Sequence, residues 1–138
     1  MPQHLTILLI DDNPTDLLLA EEAFEDYQVW AQLITCANGA EAMLYLQRQE
    51  HPVPDVVITD LNMPGLSGLD VIRAMKADPR LKLIPVVVLS TSDHISDIQQ
   101  AYSLHASSYL VKATNFQDFV KQIEAFLSYW HKAKLVHL

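Results

Sequence analysis

Five short apolar segments, each followed by a stretch with helical spacing, are the feature that most restricts how this chain can fold. Residues 5–10 and 56–58 are nearly uninterrupted apolar runs, which are typical of strands buried on both faces of a sheet. The other predicted strands cover residues 29–35, 84–89 and 107–111. Because consecutive parallel strands need a crossover between them, this alternation predicts an α/β domain with a parallel sheet and helices on both faces.

The helical stretches carry recognisable start signals. Asn13 and Pro14 form an N-cap and first-turn pair, and Asn38-Gly39 turns the chain into a second helix. Further helices are predicted after Gly68, over residues 95–104, and from residue 115 to residue 131. A chain of 138 residues suits one domain, so we predict a single domain over residues 1–138 without a linker or repeat.

Composition excludes several classes of partner. The formal net charge of −8 argues against direct binding to nucleic acid, because the phosphates would repel the protein. No apolar run approaches the ~20 residues that span a bilayer, and the N-terminus lacks the features of a secretory signal. The single cysteine, Cys36, rules out an internal disulfide and fits a reducing compartment. We therefore expect a cytoplasmic protein that binds neither membranes nor nucleic acid.

Polar residues end four of the five predicted strands: Asp11 with Asp12, then Asp60, Ser90 and Lys112. Each has a purely structural explanation, since Asp60 could cap the turn after its strand just as well as react. In an open α/β sheet, however, ligands bind at the carboxyl edge of the strands, where all of these residues would meet. Their repetition at equivalent positions favours a shared site.

The chemistry of such a site follows from its charges. If the first and third strands are neighbours, three carboxylates repel one another, so that either one is protonated or a cation lies among them. Hard oxygen ligands suit Mg²⁺, which often shares an oxygen of a phosphoryl group. A lysine and a hydroxyl would then hold the remaining phosphoryl oxygens. These parts together predict phosphoryl transfer to a carboxylate.

Four motifs carry a resemblance to the receiver domains of two-component response regulators: Leu-Leu-Ile-Asp11-Asp12-Asn, Asp60-Leu-Asn-Met-Pro-Gly-Leu-Ser-Gly68, Pro-Val-Val-Val-Leu-Ser90-Thr and Ser-Tyr109-Leu-Val-Lys112. The resemblance covers nearly the whole chain. It implies a flavodoxin-like, doubly wound domain, with five parallel strands in the order 2-1-3-4-5, five helices and no output domain. It also implies a switch that catalyses only its own phosphorylation and dephosphorylation.

The resemblance assigns roles to individual residues. Asp60 would accept a phosphoryl group from a sensor histidine kinase or a phosphotransfer protein. Asp12, Asp60 and the backbone carbonyl of Asn62 would ligate Mg²⁺, with Asp11 acting through water. Ser90 and Lys112 would bind the phosphoryl oxygens, and Tyr109 would be the aromatic switch residue that moves with Ser90. Asn62 and Ser92 match positions that tune the lifetime of the phosphoryl group.

The signal is expected to leave through the face formed by the fourth helix, the fifth strand and the fifth helix, and we expect a homodimer there. The apolar residues expected on this face are Tyr102, Tyr109, Tyr129, Trp130, Leu135 and Val136. The alternative is that Trp130 and the tail fold back onto the sheet. Residues 101–109 and 126–130 resemble those of stand-alone receivers associated with phytochromes.

Two residues depart from the family pattern. Ala113 follows Lys112 where the family usually has proline in a cis bond, and His105 occupies a position where glycine is common. A cis bond costs about 0.5–1 kcal/mol before proline and about 2.5–4 kcal/mol before other residues. Because Lys112 must still reach the phosphoryl group, we favour a cis Lys112–Ala113 bond, in which case Ala113→Pro would raise stability.

Three other functions compete with this interpretation. A Mg²⁺-dependent phosphatase with an aspartate nucleophile uses similar groups, but its nucleophile ends the first strand and is followed two residues later by an acid, whereas Asp60 ends the third strand and is followed by Asn62. A flavin carrier needs a phosphate loop after the first strand, where Asp11 and Asp12 would repel a phosphate. A receiver-like module that binds partners without phosphorylation is the third alternative, and the intact acidic set argues against it.

Overall fold

The computed structural model describes residues 4–48 and 53–135. Strands and helices alternate along the chain as β1 (Leu5–Ile10), α1 (Pro14–Glu25), β2 (Ala31–Cys36), α2 (Gly39–Gln47), β3 (Val56–Thr59), α3 (Gly68–Ala77), β4 (Val86–Ser90), α4 (Ile95–Ser103), β5 (Ser108–Val111) and α5 (Phe116–Lys132). Asn13 caps α1 by accepting from the N–H groups of Thr15 and Asp16, as the Asn13-Pro14 pair predicts. Within the described residues, no helix is both long and apolar enough to cross a membrane.

The five strands form one sheet in the order β2-β1-β3-β4-β5, and every neighbouring pair is parallel. The predicted 2-1-3-4-5 topology is therefore confirmed. The register pairs Ile10 with Thr59 and Ser90 with Val111. The residues that follow β1 and β3 consequently lie side by side, as do those at the ends of β4 and β5.

Two apolar layers cover the sheet, because successive strand residues point to opposite faces. Leu8 and Ile10 pack against residues of α2, α3 and α4, whereas Ile7 and Leu9 pack against α1 and α5. All the residues of β3 and β4 are buried, which explains their continuous apolar character. The edge strand β2 is partly exposed, in agreement with its weaker pattern.

The strand bounds differ from the sequence prediction by one or two residues in β2, β3, β4 and β5, and two of these differences have structural consequences. The second strand begins at Ala31 rather than at residue 29, because the Ala31 N–H donates to the Tyr27 carbonyl in a turn and leaves Val29 exposed. The fourth strand runs from residue 86 to residue 90 instead of from 84 to 89. Ser90 is therefore a strand residue that is fully buried.

Trp130 does not belong to the exposed surface on which the sequence analysis placed it. Its side chain is only 9% exposed and packs beside Phe126, with ring centroids 6.0 Å apart. Ala133 and Leu135 pack against the same apolar layer, so the tail folds back as far as Leu135. Val136, the other predicted tail contact, lies outside the described residues. Burying the large aromatic ring of Trp130 in the apolar layer beneath α5 is more favourable than leaving it exposed on a partner surface.

Candidate functional site

Three carboxylates meet at the carboxyl edge of the sheet, where β1 and β3 end. Asp11, Asp12 and Asp60 each present an oxygen within 4.8 Å of the others. The Asp60 N–H donates to the carbonyl of Ile10 at 2.9 Å, so the acceptor candidate is held by the adjacent strand. Asp11 is buried and Asp12 is exposed, which leaves the cluster open to solvent on one side.

Lys112, immediately after β5, reaches across the edge to these carboxylates. Its Nζ lies 2.8 Å from Asp11 Oδ2, 2.8 Å from Asp16 Oδ2 and 3.8 Å from Asp60 Oδ2. The Lys112 side chain is almost fully buried. The structure thus brings together the lysine and the carboxylates that the sequence analysis grouped from separate strands.

Asp16 is a site residue that the sequence analysis missed. It lies in the first turn of α1, three residues after the N-cap Asn13. An acidic residue there commonly serves only the helix N-terminus, so its type and position gave no reason to add it to the site. The orientation of the first turn of α1 points the Asp16 carboxylate at Lys112, and this orientation cannot be predicted from the sequence.

Burial and charge shift the ionisation of Asp60 and Lys112. Burial raises the pKa of Asp60, and the charges of Asp11 and Asp12 raise it further, against the opposing effects of Lys112 and the Leu61 N–H. Burial alone would lower the pKa of Lys112, but its hydrogen bonds with Asp11 and Asp16 outweigh that effect and raise it. One lysine therefore lies within 3.8 Å of three carboxylates, those of Asp11, Asp16 and Asp60. The carboxylates of the cluster (Asp11, Asp12 and Asp60) are hard oxygen donors, and this donor set fits Mg²⁺.

The loop after β3 approaches Asp60 closely. A Cβ on Gly68 would lie 2.1 Å from the Asp60 carbonyl oxygen, and the Gly68 N–H donates to the carbonyl of Leu61 at 2.9 Å. Only glycine lets the N-terminus of α3 come so near Asp60. Asn62, whose backbone carbonyl is the predicted metal ligand, is exposed in this loop.

Ser90 and Tyr109 meet at one loop. Ser90 Oγ accepts from the Ser92 N–H at 3.2 Å, and the Tyr109 hydroxyl donates to the Ser92 carbonyl at 2.8 Å. The Tyr109 N–H in turn donates to the Tyr102 hydroxyl at 3.1 Å. A hydrogen-bonded path consequently runs from the site to the exposed α4 surface.

The Lys112–Ala113 peptide bond is trans, so the expectation of a cis bond was wrong. The Ala113 N–H donates to Gln122 Oε1 at 2.8 Å, a contact that a proline nitrogen has no hydrogen to make. The trans loop is thus held by α5. Gln122 is the second residue that the sequence analysis missed, because its position in a helix gives no sign of a contact with the loop after β5.

His105 adopts a left-handed conformation, with φ of 69°. The Ala106 N–H donates to the Ala101 carbonyl at 3.0 Å, and the His105 N–H donates to the Tyr102 carbonyl at 2.9 Å. This pair of bonds is the Schellman motif that ends many helices, and its left-handed residue is usually glycine. The departure noted at His105 therefore has a conformational cost.

Comparisons with known proteins agree with this geometry. Residues 7–124 match the family model of the response regulator receiver domain. The chain is 37% identical to response regulator Rcp1 of Synechocystis sp. over 128 residues, which is 90% of this chain and 87% of Rcp1.

Two solved structures extend the comparison. The phosphorylated cyanobacterial phytochrome response regulator RcpA superposes with a TM-score of 0.92 at 36% identity, over 97% of this chain and 99% of its own. The Mn²⁺-bound form of Rcp1 superposes with a TM-score of 0.89 at 35% identity, over 96% of this chain and 99% of its own. With its sheet order, its strand-end carboxylates and these similarities, the chain belongs to the response regulator receiver domain family.

Proposed function

We propose that this protein is a cytoplasmic signalling switch that accepts a phosphoryl group on Asp60 from a histidine kinase or a phosphotransfer protein. The observation that carries the proposal is the convergence of Asp11, Asp12, Asp60 and Lys112 at one edge of the sheet. The single free cysteine supports a reducing compartment. The similarity to RcpA, described as a phytochrome response regulator, favours a kinase of the phytochrome class as donor.

The two oxygens of Asp60 have different surroundings. Oδ1 accepts from the Leu61 N–H at 2.8 Å, whereas Oδ2 faces Lys112 at 3.8 Å. In the transfer, an Asp60 oxygen forms a bond to phosphorus while the bond from phosphorus to the donor histidine nitrogen breaks. The histidine takes back the bonding electron pair, and the product is an acyl phosphate.

Other residues of the edge hold the transferred group. Asp11, Asp12, Asp60 and the carbonyl of Asn62 would hold Mg²⁺, which neutralises charge on the phosphoryl oxygens. Lys112 and the Ser90 hydroxyl donate hydrogen bonds to the remaining oxygens. Asn62 follows Asp60 by two residues, and Ser92 lies in the loop after Ser90. These two residues tune the lifetime of the acyl phosphate.

Phosphorylation would then change the face formed by α4, β5 and α5. Moving a population from 1:99 to 99:1 needs about 5.5 kcal/mol, and charge-assisted hydrogen bonds contribute about 1.5–3 kcal/mol each. Two or three new bonds at Ser90 and Lys112 suffice, and the Ser92–Tyr109 hydrogen bond carries the movement outward. Large apolar side chains are exposed on this face: Ile95, Tyr102, Val111, Phe116 and Tyr129. They suit a protein partner, including a second copy of the chain.

Labelling with a small acyl phosphate tests the acceptor. We expect one phosphoryl group per chain by mass spectrometry, only with Mg²⁺, and none in Asp60→Asn. Asp93→Asn is the matched control, because Asp93 is exposed in the loop after β4. Undiminished labelling of Asp60→Asn would contradict the assignment, and multiple turnover of phosphate esters by the wild type would favour the phosphatase.

Sedimentation tests the output face. We expect a phosphoryl mimic to increase self-association of the wild type and to leave Tyr129→Glu monomeric. Glu25→Gln, on the exposed surface of α1, should behave as the wild type. A monomer in both states of the wild type would count against a homodimer on this face.

A further inference from the structure

The side-chain amide of Gln122 contacts the backbone on both sides of Lys112. Its Nε2 donates to the Val111 carbonyl at 2.8 Å, and its Oε1 accepts from the Ala113 N–H at 2.8 Å. A glutamine amide offers a donor and an acceptor in a fixed plane, which matches a carbonyl and an N–H two residues apart on one side of an extended chain.

The opposite side of the same segment is held by the sheet. The Lys112 N–H donates to the Ser90 carbonyl at 2.7 Å, which continues the pairing of β4 with β5. Because β5 is an edge strand, its outer backbone groups have no strand partner within the part of the chain that the structure describes. Gln122 takes the place of that partner just where the strand ends, so the backbone of Lys112 is clamped between β4 and α5.

We propose that Gln122 is the positioning residue of Lys112, and that it fixes the trans loop from which the ammonium group reaches Asp11 and Asp60. The proposal rests on the proposed function only in so far as Lys112 acts on the phosphoryl group. Ala113 takes part in this arrangement, since its N–H is one of the two backbone groups that the Gln122 amide binds. Gln122 does not touch the reacting atoms and acts through Lys112 alone.

The first experiment compares Gln122→Met with Gln117→Met in the full chain. Methionine keeps the length of the side chain and removes its amide, and Gln117 is exposed on the same helix. Losing these neutral hydrogen bonds should speed exchange of the Ala113 amide hydrogen by about fivefold and slow phosphorylation by acyl phosphate by about threefold to tenfold. The NMR signal of the Lys112 ammonium should shift in Gln122→Met and stay unchanged in Gln117→Met.

Gln122→Glu separates the two contacts without removing the polar side chain. A carboxylate still accepts from the Ala113 N–H but has no hydrogen for the Val111 carbonyl. We expect it to keep the slow exchange of the Ala113 amide while the Lys112 signal shifts. Rapid Ala113 exchange in this variant together with an unshifted Lys112 signal would overturn the proposal.

A double-mutant cycle with Ala113→Pro excludes a general structural effect. Proline removes the N–H that Gln122 holds, so the two changes share one interaction and should not add. After Ala113→Pro, we expect Gln122→Met to slow phosphorylation less than it does in the wild type, because only the Val111 contact is then lost, whereas a loss as large as in the wild type would overturn the proposal. If the wild type accepts no phosphoryl group, the proposed function fails, and Ala113 exchange with the Lys112 signal still decides the role of Gln122.

Discussion

The ammonium nitrogen of Lys112 lies 2.8 Å from Asp16 Oδ2 and 3.8 Å from Asp60 Oδ2, so the lysine is turned towards α1 rather than towards Asp60. Asp11 holds it on the other side at 2.8 Å. Asp16 is therefore a fourth carboxylate of the site, outside the cluster that fits a metal ion. It shares the buried lysine with Asp11.

Asp16→Asn should lower the free energy of unfolding by about 1.5–3 kcal/mol, the contribution of a hydrogen bond to a charged group. Since Asp16 helps to raise the pKa of Lys112, this contribution is present below the ordinary lysine pKa of about 10.4 and is lost as the pH rises through the raised value. Urea unfolding at neutral and at high pH measures both effects. Glu22→Gln, exposed on the same helix, is the control, and an equal loss in both variants would contradict the role of Asp16.

Asp60→Asn should raise the free energy of unfolding at neutral pH without metal, by about 0.5–2 kcal/mol, the usual range for a stabilising change of charge. Burial, together with Asp11 and Asp12, raises the pKa of Asp60, so the folded state binds its proton more tightly than the unfolded state does. Stability thus falls as the pH rises from the ordinary value of about 3.9 through the raised pKa. The advantage of Asp60→Asn should be absent in acid and grow through that window. A pH-independent difference would contradict this origin.

Mg²⁺ should stabilise the wild type by about 2.7 kcal/mol at a concentration 100-fold above its dissociation constant. Asp12→Asn should lose most of this gain, because it removes an exposed ligand without disturbing the core. Thermal unfolding with Mg²⁺ and with a chelator measures the difference. Asp26→Asn, an exposed acidic residue at the far end of α1, should respond as the wild type does. Equal stabilisation of Asp12→Asn would place the ion elsewhere.

Trp130→Ala should cost about 3–5 kcal/mol, the range for a large aromatic residue removed from a core. Its neighbour Tyr129 is 65% exposed and contacts the Trp130 ring edge to face, so Tyr129→Ala should cost only about 0.5–1.5 kcal/mol. Denaturant unfolding of the two variants separates the buried from the exposed side of α5. Similar values for both would show that Trp130 is not held in the apolar layer.

His105→Gly should raise the free energy of unfolding by about 0.5–1 kcal/mol, because glycine adopts the left-handed conformation without the penalty of a Cβ. Ser103→Gly is a useful contrast, since Ser103 is helical and a glycine there should destabilise the protein by about 0.5–1 kcal/mol. Thermal unfolding of both variants gives the comparison. A loss of stability in His105→Gly would mean that the imidazole makes contacts that outweigh its backbone strain.

The order of strands and helices, and the presence of Asp11, Asp12, Asp60 and Lys112 at one edge, could be predicted from the sequence. The reason is that apolar runs and helical spacing are local patterns, and in a parallel sheet the residue after each strand must lie at the carboxyl edge. The local start of α1 at Asn13 and Pro14 was predictable on the same grounds. The position of a residue along its strand or helix was enough to predict all of these features.

The tertiary structure decided the features that depend on how the helices pack against the sheet. Whether Asp16 faces solvent or Lys112 is set by the rotation of α1 above the sheet, and whether Trp130 is exposed is set by the packing of α5. The loop that follows Lys112 is held at Ala113 by a contact with Gln122, nine residues away. Each of these features depends on contacts between segments that are separate in the chain, so it cannot be predicted from composition or residue spacing.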